Sequence, residues 1–244
     1  MKTHAPLLVA GLLLFPLTAS AGPADYIYTP TVEYGEKEID FKFGTARKGE
    51  DPRVSAASVG FGWGAKEWWF TELYFKYKRE NGEPTKYDAI EWENKFQLTE
   101  TGKYPVDIGF LIEVERPKIH AEGWEVKWGP LLQTEFGKIQ LNGNVLFERS
   151  YRAEQPSDTV LQYQWQAKYR WHPELEFGLQ GFGEVGKWNA WLPAEERVHQ
   201  MGPAVFGKMR IASGQAIKYN AAWLLKASTA APDHVFRMQV EYEF

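Results

Sequence analysis

The charged residues of this 244-residue chain recur two apart: Glu91, Glu93 and Lys95, then Glu113 and Glu115, then Lys168 and Arg170. Residues i and i+2 of a strand share a face, so each set forms a row of charge along one side of an extended segment. Glu72, Lys76, Lys127, Glu135, Glu184, Lys208 and Arg237 take the corresponding face of their own segments. Rows of both signs facing one another can do one of two things. They can border a narrow aqueous path that sorts small polar or amphiphilic solutes by charge, or they can satisfy one another as a plug of ion pairs and amides. The first reading makes all of these residues pore-lining, with Glu91, Glu113, Lys168 and Arg170 as candidates for a constriction.

Other chemistry has little footing. Besides His4, the histidines are His120, His172, His199 and His234, and none stands beside a serine in a His-x-Ser arrangement that would activate a nucleophile. Asp233-His234 is the best acid–base pair, and a dyad so short is unspecific. The chain carries no metal-ligand motif, phosphate loop or nucleophile elbow, so no catalytic residue, metal or cofactor is expected. The absence of cysteine excludes a disulfide framework and thiolate metal sites. The formal charge of −4 gives no basic footprint for nucleic acid.

Each row of charge is backed by an apolar face. In the clearest segment Leu161, Tyr163, Trp165, Ala167, Tyr169 and Trp171 alternate with Gln162, Gln164, Gln166, Lys168 and Arg170. About twelve such segments of ~9–13 residues follow one another from residue 36 to residue 244, the length that crosses a membrane when tilted. Their connections alternate in length. Those near Ala65, Gly137, His172 and Ser213 are short, and those near Lys48, Gly82, His120, Gln155, Ala194 and Ala231 are longer, with Thr99 to Pro105 the one exception on the short side. The expected fold is all-β, a single transmembrane antiparallel up-and-down β-barrel with both termini periplasmic, lipid outside and a polar lumen inside.

A soluble barrel or sandwich has the same alternation with its faces exchanged, so the period alone does not choose. The apolar faces carry almost no charge, and a charged group at mid-bilayer would cost ~2–4 kcal/mol. Aromatics gather at segment ends, with Trp69, Trp171, Tyr242 and Phe244 at one end and Tyr77, Trp124 and Tyr151 at the other. The mean hydropathy of −0.45 is no objection, because alternating strands average to a polar score. Some residues depart from the pattern. Pro130 and Pro203 lack an N–H inside expected strands and imply bulges or shifted boundaries. Asn94 and Arg149 fall on the lipid face, Arg149 near the outer end where a lipopolysaccharide phosphate could meet it. Gly60, Gly62 and Gly64 give the second segment a small inner face, which leaves room inside.

The two ends of the chain carry addresses. Lys2, the apolar run Leu7 to Leu17 and Ala19-Ser20-Ala21 read as a signal peptide over 1–21, cleaved near Gly22. Residues 22–35 read as a periplasmic N-terminal arm and 36–244 as the barrel; the proline and tyrosine content of the arm raises the hypothesis that it plugs the lumen from that side, which the sequence does not decide. The last strand places Phe236, Met238, Val240, Tyr242 and Phe244 on one face and Arg237, Gln239, Glu241 and Glu243 on the other. This segment resembles the C-terminal insertion signal of Gram-negative outer-membrane β-barrels, which ends in Phe and is read by the barrel-assembly machinery. The resemblance implies an outer-membrane location, with outer-membrane lipid and lipopolysaccharide as surroundings. The whole architecture is similar to monomeric twelve-strand outer-membrane channels for nucleosides or acidic oligosaccharides, which implies passive passage of a small solute and names none. The rival readings are an outer-face hydrolase or protease, and a structural or adhesion barrel, which would want longer loops.

Overall fold

In a computed structural model, the chain is described over residues 22–80 and 82–244; the signal peptide expected at 1–21 lies outside these residues. Thirteen strands follow in order: β1 (Lys37–Arg47), β2 (Val54–Lys66), β3 (Trp69–Glu80), β4 (Lys86–Gln97), β5 (Asp107–Pro117), β6 (Trp124–Phe136), β7 (Ile139–Tyr151), β8 (Val160–His172), β9 (Leu175–Lys187), β10 (Ala190–Trp191), β11 (Val198–Ala212), β12 (Gln215–Lys226) and β13 (His234–Glu243). Twelve of them form one antiparallel sheet that closes, because β13 pairs with β1 and β8 pairs with β9. The two-residue β10 only extends the β9 edge within the loop before β11. Closure leaves no free sheet edge, the condition a sheet must meet to sit in lipid. Among the described residues no helix is long and apolar enough to cross a membrane, which leaves crossing by strands untouched.

The expected alternation of connections holds. Links β2–β3, β6–β7, β8–β9 and β11–β12 are tight turns, and the β4–β5 link is the longer exception at that end. Lys37 and Phe244 both lie at this short-turn end, joined by the Phe244 N–H to Lys37 carbonyl hydrogen bond. The longer loops, one with a single 3-10 turn at His120–Glu122, cap the opposite end.

Burial is inverted relative to a soluble protein. Phe61, Trp63, Trp92 and Trp223 are at least half exposed, whereas Asp40, Glu93, Glu113 and Gln180 are at most 2% exposed. Period-2 patterning produces both results at once, since a closed sheet turns every even face one way and every odd face the other. An apolar surface running around the whole molecule calls for an apolar solvent around it.

Three expectations need correction. Neither proline makes a bulge. On the β6–β7 ladder Trp128 pairs with Phe147 and Leu131 with Asn144 in one register, and on β11–β12 Met201 pairs with Leu225 and Ala204 with Ala222 in one register. Each Gly-Pro pair is simply skipped. A Cβ on Gly129 would strike the Val145 carbonyl and one on Gly202 the Trp223 carbonyl, so glycine lets the strands stay close where proline offers no N–H. The room beside Gly60 and Gly62 is filled, by the rings of Tyr74 and Phe70. Asn94 does fall on the outer face but is covered: the Trp69 indole N–H donates to its Oδ1 at 3.0 Å.

Candidate solute site in the barrel lumen

The rows of charge point inward and divide by depth. Toward the long-loop end, Lys76 bridges Glu91 at 2.7 Å and also Glu115, and Lys127 bridges Glu113 at 3.3 Å and Glu148 at 3.4 Å. Arg237 lies over the Phe182 ring, 4.4 Å from its centroid, and Glu184 is buried on β9 nearby in sequence. Toward the short-turn end, Glu72, Glu93, Lys95, Glu135, Lys168, Arg170 and Lys208 border a cavity of about 560 Å3. Arg170 pairs with Glu135 at 2.7 Å, Lys168 with Glu176 at 3.0 Å and Lys208 with Glu243 at 2.7 Å. The four constriction candidates do not form one ring. Glu91 and Glu113 belong to the upper ion-pair layer, and Lys168 and Arg170 to the cavity.

The N-terminal arm runs past both layers. Residues 22–35 pass inside the barrel, from beside Gly44 near the long-loop end of β1 to beside Gly64 at the short-turn end of β2. The Tyr26 hydroxyl donates to Glu93, and the Tyr28 hydroxyl donates to Glu113 at 2.8 Å. Asn144 donates to the Tyr28 carbonyl at 3.1 Å, and the Val32 N–H donates to Gln97 at 2.7 Å. Ile27 packs with Phe182, Ala204, Phe206, Ala222, Leu224 and Val235, and Tyr28 packs with Leu111, Leu131 and Leu146. Adjacent arm residues thus dock on apolar patches of two different walls.

The wall is shaped for this passage. A Cβ on Gly44 would meet the Pro23 carbonyl, one on Gly64 the Glu33 carbonyl, and one on Gly109 the ring of Pro30. Gly35 and Gly64 also exchange backbone contacts, the Gly35 N–H donating to the Gly64 carbonyl at 2.8 Å. Only a residue without a side chain admits backbone this close.

The inner wall from β6 to β9 also carries a chain of amides. Gln140 and Asn142 both donate to Gln133 Oε1, at 2.8 and 2.9 Å, Gln166 donates to Asn142 at 3.1 Å, and Gln180 donates to Gln166 at 2.9 Å. At the short-turn rim, burial beside Glu243 raises the Glu36 carboxyl to about 7 despite its 3.2 Å pair with Lys218.

Several participants fall outside the charged rows. Asp40, 3.4 Å from Lys42, and Glu148 obey the same i, i+2 rule and were within reach of sequence reading. The arm tyrosines and the inward apolar patches carry no such signal. The unspecific Asp233-His234 pair is engaged with other partners. Asp233 takes the Gly49 N–H at 2.6 Å and pairs with Lys226, which holds its carboxyl below the usual range, while His234 packs against Trp223.

No protein-family model matches the chain, and no curated protein matches it. Solved structures do share the fold. An outer-membrane channel from Pseudomonas putida F1 superposes with a TM-score of 0.57 at 11% identity, covering 90% of this chain and 98% of that one. The NanC porin gives a TM-score of 0.55 at 10% identity, over 84% and 98% of the two chains. The translocator domain of the autotransporter NalP from Neisseria meningitidis gives 0.52 at 12% identity, over 87% and 89%. At this identity the likeness is one of fold, that of outer-membrane β-barrels.

Proposed function

We propose that the chain is an outer-membrane β-barrel channel of a Gram-negative bacterium that passes small polar or amphiphilic solutes, with its own N-terminal arm narrowing the lumen. The observation that carries this reading is the inverted burial: an apolar belt outside a closed sheet whose interior holds ion pairs, amides and a cavity of about 560 Å3. A barrel built only for structure has no need of so polar an interior beside a cavity. The neighbours in fold include a porin and a channel, which agrees with the reading without naming a solute.

In this proposal the short-turn end and both termini face the periplasm, and 1–21 direct export. The last strand, with Phe236, Met238, Val240, Tyr242 and Phe244 outward, addresses the barrel-assembly machinery. By alternation Arg47, Arg79, Arg116 and Arg149 sit outward at strand ends on the long-loop side. Guanidinium groups there suit phosphate-bearing outer-leaflet lipid such as lipopolysaccharide. No catalytic step is assigned.

The test is the reversal potential of the reconstituted protein in a planar bilayer under a salt gradient. Discrete current steps with a non-zero reversal potential support a charge-lined path. A folded barrel that stays silent at all voltages defeats the channel reading.

A further inference from the structure

The start of the arm lies where the lumen is short of a cation. The charge of Asp25 acts on Glu184, Lys127 and Arg237 around it, and Glu148 stands in the same group. Lys127 is taken up by Glu113 and Glu148, and Arg237 by the Phe182 ring. Among the described residues neither Asp25 nor Glu184 has a Lys or Arg nitrogen at ion-pair distance. Glu184 and Gln200, toward the long-loop ends of β9 and β11, are each 5% exposed, and Glu184 Oε2 and Gln200 Oε1 have no hydrogen-bond partner. Buried acceptors left this way cost free energy that a charged donor would return.

Gly22 stands beside Asp25. The Asp25 N–H donates to the Gly22 carbonyl at 3.0 Å, which closes a turn at the start of the arm. A Cβ on Gly22 would lie 3.2 Å from Asp25 Oδ1, a position that glycine leaves to a hydrogen. Cleavage after Ala21 changes what can fill it. Hydrolysis of the Ala21–Gly22 peptide bond by a signal peptidase takes up one water and leaves a carboxylate on Ala21 and an amino group on Gly22, which is protonated below its ordinary pKa of ~8. With no residue before it, Gly22 turns freely about its Cα–C bond. One such turn carries the ammonium to the position beside Asp25 Oδ1.

We propose that the α-ammonium group freed at Gly22 is the missing cation: it pairs with Asp25, brings positive charge within reach of Glu184, and pins the arm in the lumen. Removal of the signal peptide thereby completes the seat of the arm. The inference goes beyond passage through the channel and rests on the export reading for the cleavage itself.

The test compares two forms of the chain from Gly22 to Phe244, both refolded in detergent and checked for a heat-modifiable band. One keeps its terminal amine, and in the other that amine has been converted in urea to a neutral glyoxylyl group by transamination with pyridoxal phosphate. Chymotrypsin cleavage after Tyr26 or Tyr28 reads the unseated fraction of the arm. Loss of the ammonium should raise that rate about threefold, the effect of one partly exposed ion pair. Asp25→Asn should raise it as much in the parent and no further in the transaminated protein. Equal rates with and without the ammonium overturn the pairing even if Asp25→Asn does not fold, and so does an Asp25→Asn effect that persists without the ammonium. The mass of the barrel isolated from cells tests the processing separately. A chain that begins at Gly22 is expected, and one that begins elsewhere overturns the processing step while leaving the channel reading intact. A pairing that holds in a barrel that never conducts defeats the channel alone.

Discussion

Lys127 shows how a single residue holds the lumen together. It is 6% exposed and its ammonium lies between Glu113 and Glu148, the first of which also receives the Tyr28 hydroxyl. Replacing it with Met would leave two buried carboxylates without a cation. Lys127→Met is therefore expected to lower stability by about 3–5 kcal/mol, read from urea unfolding in lipid vesicles. Glu36 gives the pH counterpart. Its carboxyl is raised to about 7 by burial, so the folded barrel holds that proton more tightly than the unfolded chain does. The stabilisation is complete below the ordinary carboxylate range and is lost as pH rises through about 7. The unfolding midpoint should fall over that interval, and Glu36→Gln should flatten the change. The inward position of such charges was legible, since period 2 fixes the face once one residue of a strand is placed. Their partners were not. Nothing in the spacing of Glu91 and Glu113 says that each belongs to a different lysine.

At the scale of elements, the arm and the wall that receives it form a matched pair. Glycines of similar appearance serve two purposes: Gly60 and Gly62 lie under Tyr74 and Phe70, whereas Gly44, Gly64 and Gly109 lie under the arm. A sequence displays all five as small residues on an inner face, and only the path of residues 22–35 separates them. The same holds for Leu111, Leu131 and Leu146, which break the polar row because Tyr28 docks there. Gly44→Val would push its side chain into the Pro23 carbonyl and should unseat the arm. Chymotrypsin should then cleave after Tyr26 or Tyr28 faster than in the parent, and equal rates would mean that the seat does not hold the arm. The last strand makes a separate prediction. Phe244 is half exposed and stacks on Tyr242 at the short-turn rim. If it addresses the assembly machinery, deleting it should lower the yield of heat-modifiable barrel in cells while leaving refolding in detergent intact.

For the whole molecule, the fold follows from two simple regularities, alternation within strands and alternation in the length of their connections. Both are periodic, and both were readable because a closed barrel repeats them at every hairpin. Val185 marks the limit of periodicity. The β8–β9 register slips between Leu161 and Gln162, and Val185, which alternation would send to the outer face, ends up buried beneath the loop that carries β10. The occupancy of the lumen is likewise a property of the assembled barrel. Polar rows are compatible with an open pore or a packed one, and the chain takes a middle course, with the arm running along the lumen over apolar patches and bordering the cavity left at the short-turn end.

The most direct measurement is single-channel conductance of the complete protein beside a variant lacking residues 22–35, both folded and reconstituted in the same bilayer. The account predicts discrete steps from both, larger for the deletion, because the arm occupies space between charged walls that could otherwise hold water. Equal steps from the two proteins, or a folded deletion variant that passes no current, would contradict it.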